Sequence, residues 1–456
     1  MRLLTAFCLL LTAAAAQGPA IALTHVRVID GTGAPARADQ TVIIANGHIA
    51  AVGAAGTVAI PAGAQVRNLA GDTVLPGLVG MHEHMFYPEG NGLYGEQAYS
   101  FPRLYLANGV TTIRTTGSIE GYADLNLKAA IDSGRVPGPE IFPTAPYLEG
   151  YPPIGLQLHP LKDAAEARAF VNYWASVGAD NYKAYMHITH DELAAAIAAA
   201  HALHQKLTGH LCSVGFQEAA ALGIDDLEHG FVVDTEFVPG KQRDQCPPQP
   251  VTFATNVKLD IAGPQVQATI HDLIQHHVAV TSTLDIFETF VPNRPPLQRR
   301  VMDVLTPEAR VQYLESRVRA ASDPHSVWPV LFHKEEEFEH SFAQQGGLLL
   351  AGLDPTGGGG IVAGYGDQRE MELLVEAGFT PVQAVQIYTQ NGARYLGIAN
   401  RVGSIAAGKQ ADLVVVRGDP SQKISDIENV LTVYKQGKAY DPAKLIASVR
   451  DSVGLH

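Results

Sequence analysis

From Ile21 to about Gly71 hydrophobic and polar residues alternate over short runs, the period expected of strands that bury one face. Residues Val42 to Val52 place strand formers on both sides of Asn46-Gly47. Asn-Gly suits a two-residue hairpin because both positions tolerate positive φ. The same texture returns in Ala411–Arg417 and in Leu431–Tyr440, the latter with Gly437 at its turn. The pattern predicts that residues 18–75 and 400–456 pair into one small β-sandwich domain.

Between these ends, over residues 76–399, the texture becomes strand followed by helix. Thr189-His190-Asp191-Glu192 is a capping box opening an alanine-rich helix that runs to about Gln205, and Thr380-Pro381-Val382-Gln383 opens another. Apolar strand candidates end at His84, Gly117, Tyr147, Tyr185, Cys212, His229, Leu284 and Asp354. Eight such units predict an α/β fold, a (β/α)8 TIM-type barrel, with its chemistry at the carboxyl ends of the strands. Val232–Val278 and Asp285–Pro329 exceed simple connections and read as excursions over the barrel mouth.

Residues 1–17 have the design of a secretory signal: Arg2, an apolar run from Leu3 to Leu11, then small residues to Ala16. Export to a periplasmic or extracellular location is the expectation. No later segment approaches ~18 uninterrupted apolar residues, so no membrane span is expected. With 32 basic against 46 acidic residues the net charge is −14, which disfavours a nucleic-acid partner. Cleavage would remove Cys8 and leave Cys212 and Cys246, which could form one bridge or remain isolated thiols. Eighteen histidines beside three cysteines direct attention to imidazole chemistry.

His82 and His84 close the apolar strand Leu78-Val79-Gly80-Met81. Residues two apart in a strand point to one side, so both imidazoles can meet one ion. Alone, such a pair arises easily among 18 histidines. His210, His229 and Asp354 close other candidate strands, however, and all five groups would converge on one rim.

At this point the sequence resembles the amidohydrolase superfamily, specifically its metal-dependent imidazolonepropionase-like and prolidase-like group. The resemblance rests on Leu75-Pro76-Gly77-Leu78-Val79-Gly80-Met81-His82-Glu83-His84, Ile224-Asp225-Asp226-Leu227-Glu228-His229-Gly230, Asn391–Gly397 and Gly403–Val416. It implies two divalent metal ions, with zinc expected, and carbon dioxide bound as a carbamate on Lys183. His82 and His84 would hold one ion and His210 and His229 the other. Lys183 would bridge them, and Asp354 would bind near the first and act as the catalytic proton carrier. An unmodified lysine, protonated near a reference pKa of ~10.4, has no lone pair to donate, whereas a carbamate is an anionic oxygen donor.

The substrate is expected to be a small molecule cut at an amide-type C–N bond: an N-acyl amino acid, a dipeptide or an aryl amide. Tyr87, Tyr147, Tyr151 and Tyr185 could wall the pocket or simply pack, and His187 is a further pocket candidate. Pro143–Pro153 lacks the glycine- and histidine-rich turn expected of many dipeptidases in the group. Gly90-Asn91-Gly92-Leu93-Tyr94-Gly95 lies after Pro88 with no helix opening at its first glycine, so it reads as a mobile loop and not a dinucleotide site. Gly357–Gly360 reads as a flexible lid segment. Two alternatives stand beside the binuclear hydrolase: a mononuclear hydrolase or deaminase of a cyclic amide or lactone, and a non-catalytic barrel acting as a binding protein. A homo-oligomer stays open.

Overall fold

The structure, a computed structural model, describes residues 19–455. The expected signal segment lies outside the described residues. Among them, no helix is long and apolar enough to cross a membrane.

The terminal strands expected to form a sandwich lie in one eight-stranded sheet. Asp72–Pro76 pairs antiparallel with Leu413–Arg417, from Leu413 opposite Pro76 to Arg417 opposite Asp72, which joins the two chain ends. Asn46 and Gly47 take φ of 54° and 79°, as the tight hairpin between Arg37–Ala45 and His48–Ala54 requires. Leu413 and Val415 pack into the core of this sheet, while Val414 and Val416 pack into the larger core of the α/β unit. A strand buried on both faces reads as a continuous apolar run, which is why Leu413–Val416 shows no alternation.

The intervening segment is α/β, with eight parallel strands in two sheets. Leu78–Glu83, Val110–Thr115 and Glu140–Phe142 form the first. Asn181–Ala184, Lys206–Gly209, Asp226–Glu228, Ala279–Ser282 and Leu349–Ala351 form the second. The sheets meet at both margins: Ala145 N donates to Asn181 O at 3.0 Å, and Asp354 N donates to His82 O at 3.0 Å. Each strand stops one to five residues before its expected end. The Thr189 and Thr380 capping boxes are both formed.

Gly90–Gly95 is part of a two-stranded hairpin, Phe86–Gly90 with Leu93–Glu96, in place of the expected mobile loop. The turn falls at Asn91-Gly92, both at positive φ. Gly357–Gly360, expected as a lid, is tied down where Gly360 N donates to the Tyr87 hydroxyl at 2.7 Å.

Candidate metal centre

The strand Leu78–Glu83 is buried along its whole length and brings His82 to the rim, with His84 just beyond it. Alternation turns Glu83 the other way, against Tyr105 and Asp367. The eighth strand approaches so closely that a Cβ on Gly352 would lie 2.2 Å from the His82 backbone nitrogen. Only glycine permits that contact, and two residues later the chain delivers Asp354.

Asp354 is the meeting point. Its Oδ1 lies 3.4 Å from His84 Nε2 and 3.7 Å from His82 Nε2, and its Oδ2 lies 3.8 Å from His229 Nε2. Lys183 Nζ donates to His82 Nε2 at 3.3 Å. The His210 ring stands edge-on to His229, with centroids 4.3 Å apart, and 5.1 Å from Tyr185. His229 and Asp354 adopt φ of 71° and 45°. Left-handed backbone at non-glycine residues costs of order 1–3 kcal/mol each and concentrates at functional sites.

The far nitrogens of the imidazoles are held from behind. His82 Nδ1 donates to Glu228 Oε2 at 2.7 Å, His84 Nδ1 donates to the Gly117 carbonyl at 3.0 Å, and His229 Nδ1 bonds Thr283 Oγ1 at 2.7 Å. A carbonyl or carboxylate can only accept, so the Nδ1 of His82 and of His84 carries the proton and Nε2 keeps its lone pair. Glu228 is itself fixed by Arg114 Nη2 at 2.8 Å, while Arg114 Nη1 donates to Asp226 at 2.8 Å and its Nε to Met81 O at 2.8 Å.

Burial sets the protonation states. It lowers His84, holds His82 and His229 well below the usual imidazole range, and lowers His210 to about 3, with the Lys183 ammonium reinforcing the effect on His82 and His210. Burial also brings Lys183 down to about 8 against the pull of Glu228 and Asp354. For Asp354 burial favours the neutral acid, but the cationic surroundings, Lys183 among them, outweigh it and hold the carboxyl below its usual range. Asp354 Oδ1 is buried with no hydrogen-bond partner. Neutral imidazoles, an ionised carboxylate with an unpaired oxygen, and the donors of His82, His229 and Asp354 all within 4.8 Å of one another fit a divalent cation.

The centre opens into a cavity of about 810 Å³. Tyr147, Tyr185 and His187 line it, as the sequence suggested. Two expected pocket residues lie elsewhere. Tyr87 is buried beneath the Gly357–Gly360 segment as its anchor, and Tyr151 is 81% exposed on the outer loop. Tyr94, presented by the Phe86–Glu96 hairpin, takes part in the wall instead. The two long excursions supply Phe253, Phe287, Phe290 and Trp328. Cys212 and Cys246 form a disulfide at the cavity wall, pinning the first excursion to the loop that carries His210.

The sequence reading passed over Glu228, Arg114 and Tyr94. Glu228 and Asp226 are charged residues at alternate positions of one apolar strand, and Arg114 interrupts another. Buried ionic residues in such places need partners, and that was the available signal.

A family model described as the amidohydrolase family matches residues 357–440. The match begins just after Asp354 and covers none of the six candidate ligands. A comparison with curated protein sequences returned no match. Among solved structures, a Xaa-Pro dipeptidase with methionine bound in its active site superposes with a TM-score of 0.69 at 21% identity, covering 92% of this chain and 100% of its own. A prolidase complexed with N-methylphosphonate-L-proline gives 0.66 at 18% identity, over 92% of this chain and 99% of its own. Phenylurea hydrolase B gives 0.68 at 20% identity, over 96% and 100%. The fold, the family match and the sequence motifs agree: the chain resembles the amidohydrolase superfamily and its prolidase-like group.

Proposed function

We propose that the protein is a metal-dependent hydrolase that cleaves an amide-type C–N bond in a small-molecule substrate. The observation that carries this reading is the approach of three imidazole Nε2 atoms to the single carboxylate of Asp354, at 3.4–3.8 Å, inside a cavity large enough for an organic substrate. The two parallel sheets, joined at both margins, are read as one (β/α)8 barrel with the centre at its carboxyl rim.

A bound divalent cation, with zinc the expected ion, supplies Lewis acidity toward the substrate carbonyl and makes a water molecule more acidic. His82 and His84 would hold one ion and His210 and His229 a second, with Lys183 as its carbamate between them. Asp354 takes the proton of the attacking water and passes it to the leaving nitrogen. The phenols of Tyr147 and Tyr185, which burial keeps protonated, offer donors to the substrate's polar edge. Export belongs to the proposal, and the Cys212–Cys246 disulfide supports an oxidising compartment.

The mononuclear alternative leaves Lys183 unmodified, as an ammonium 3.3 Å from His82 Nε2. Metal analysis with an amide, dipeptide and lactone panel tests the proposal. Two ions per chain and amide turnover are expected. One ion with lactone or cyclic-amide turnover selects the alternative, and no bound metal in protein purified without chelator refutes both.

A further inference from the structure

We infer that the substrate carries an uncharged aromatic body and no free carboxylate beside the scissile bond. This rests on the hydrolase reading and narrows it. On one side of the cavity Trp328 gathers three phenylalanines, its ring lying 4.6 Å from Phe290, 5.0 Å from Phe253 and 5.7 Å from Phe287. Phe287 in turn lies 5.8 Å from the His229 imidazole, so the aromatic wall begins at the candidate metal centre itself. A second aromatic group also lines the cavity, where Phe86 stacks on His84 at 4.3 Å and Tyr94 meets Phe86 at 5.2 Å. Phe253, Phe290 and Trp328 are only half-buried, leaving ring faces to the cavity. An aryl group in the cavity can stack on these rings or meet their edges.

The polar inventory points the same way. Among the described residues lining the cavity, Lys183 and Asp354 are the only Lys, Arg, Asp or Glu, and both face the centre. Recognition of a substrate carboxylate calls for a guanidinium or ammonium poised away from the reacting atoms. His187 has its Nδ1 engaged with the Pro152 carbonyl, which leaves a single nitrogen and not the two-pronged donor of a guanidinium. Gln157 is occupied as well, accepting from Tyr94 N at 2.8 Å and donating to Tyr94 O at 2.9 Å. The tyrosine hydroxyls remain, with the Gln249 amide and the threonine hydroxyls of the wall, all neutral donors suited to a carbonyl oxygen. A carboxylate placed against the aromatic wall would lose its water with no counter-charge.

The test uses the full, metal-replete protein and two ligands: N-isopropylbenzamide and N-benzoylalanine, in which a carboxylate replaces one methyl. Calorimetry reads binding and benzoate release reads turnover. The neutral amide should bind at least tenfold tighter, and Trp328→Ala should weaken it about tenfold with bound metal unchanged. Phe290→Leu should show a smaller loss in the same direction and serves if the tryptophan variant does not fold. Equal or tighter binding of the acid, or indifference of the neutral amide to both substitutions, overturns the inference. If the neutral amide binds preferentially but neither ligand releases benzoate, the inference stands and amide hydrolysis falls.

Discussion

Glu228 accepts the Nδ1 proton of His82 at 2.7 Å while its other oxygen is held by Arg114 at 2.8 Å, so one buried carboxylate couples a candidate metal ligand to a charged network beneath the site. The arrangement fixes the imidazole tautomer and the ring's direction before any cation arrives.

Glu228→Gln removes that charge while preserving shape. Metal affinity should fall by about 10–100-fold, measured by competition with a chromogenic chelator, with far-UV circular dichroism unchanged. Unaltered affinity would show that the pair serves packing alone.

Asp354→Asn should lower kcat by roughly 10²–10⁴-fold, because it leaves a hydrogen-bonding group of the same size that cannot carry a proton. Bound metal should persist largely through the remaining imidazoles. Activity near the wild-type level would remove Asp354 from the proton path.

Lys183→Ala should reduce bound metal from two ions per chain toward one, read by elemental analysis, if its carbamate joins two ions. One ion in both proteins would support the mononuclear alternative, and two in both would remove Lys183 from the bridging role. Bicarbonate should restore nothing in this variant.

The Cys212–Cys246 bond closes a 34-residue separation. Cys246→Ser should cost about 2–4 kcal/mol of unfolding free energy by denaturant titration. It should also raise KM more than it lowers kcat, since the pinned segment forms cavity wall and not proton-transferring groups.

Six carboxyls lie buried behind the strands: Glu83, Asp285, Glu335, Glu339, Asp367 and Glu370. Burial pushes Glu335 up to about 8 and Asp367 and Glu370 to about 7, and holds the other three well above the usual range. The folded chain therefore keeps protons that the unfolded chain releases, and this contribution is complete below about pH 4 and lost toward pH 8. The site histidines are lowered and act oppositely, with their contribution complete above about pH 6.5. Thermal stability should accordingly fall between pH 6.5 and 8, and Glu339→Gln should flatten that fall. A stability that rises over this interval would contradict the protonated state of the cluster.

Much of this was legible along the chain because it is local. The Asn46-Gly47 hairpin follows from two residues' tolerance of positive φ, and the Thr189 capping box from side chains reaching neighbouring backbone amides. His82 and His84 could be paired from strand alternation alone. Tyr87 and Tyr151 could not be placed in this way. One turned inward to anchor Gly360 and the other outward to solvent, and nothing in their spacing distinguishes those outcomes from lining a cavity.

What the sequence by itself determined was the strand–helix order, the terminal strands' partnership in kind, and the residue types able to take up a cation. The tertiary structure alone decided that His84, His82 and His229 all face Asp354, that Glu228 stands behind His82, and that Trp328 from a distant excursion walls the cavity. Those relations join positions separated by up to 272 residues, counting from His82 to Asp354 in the sequence numbering. Periodicity specifies the face on which a side chain lies, whereas only the packing of strands against one another specifies what that face meets.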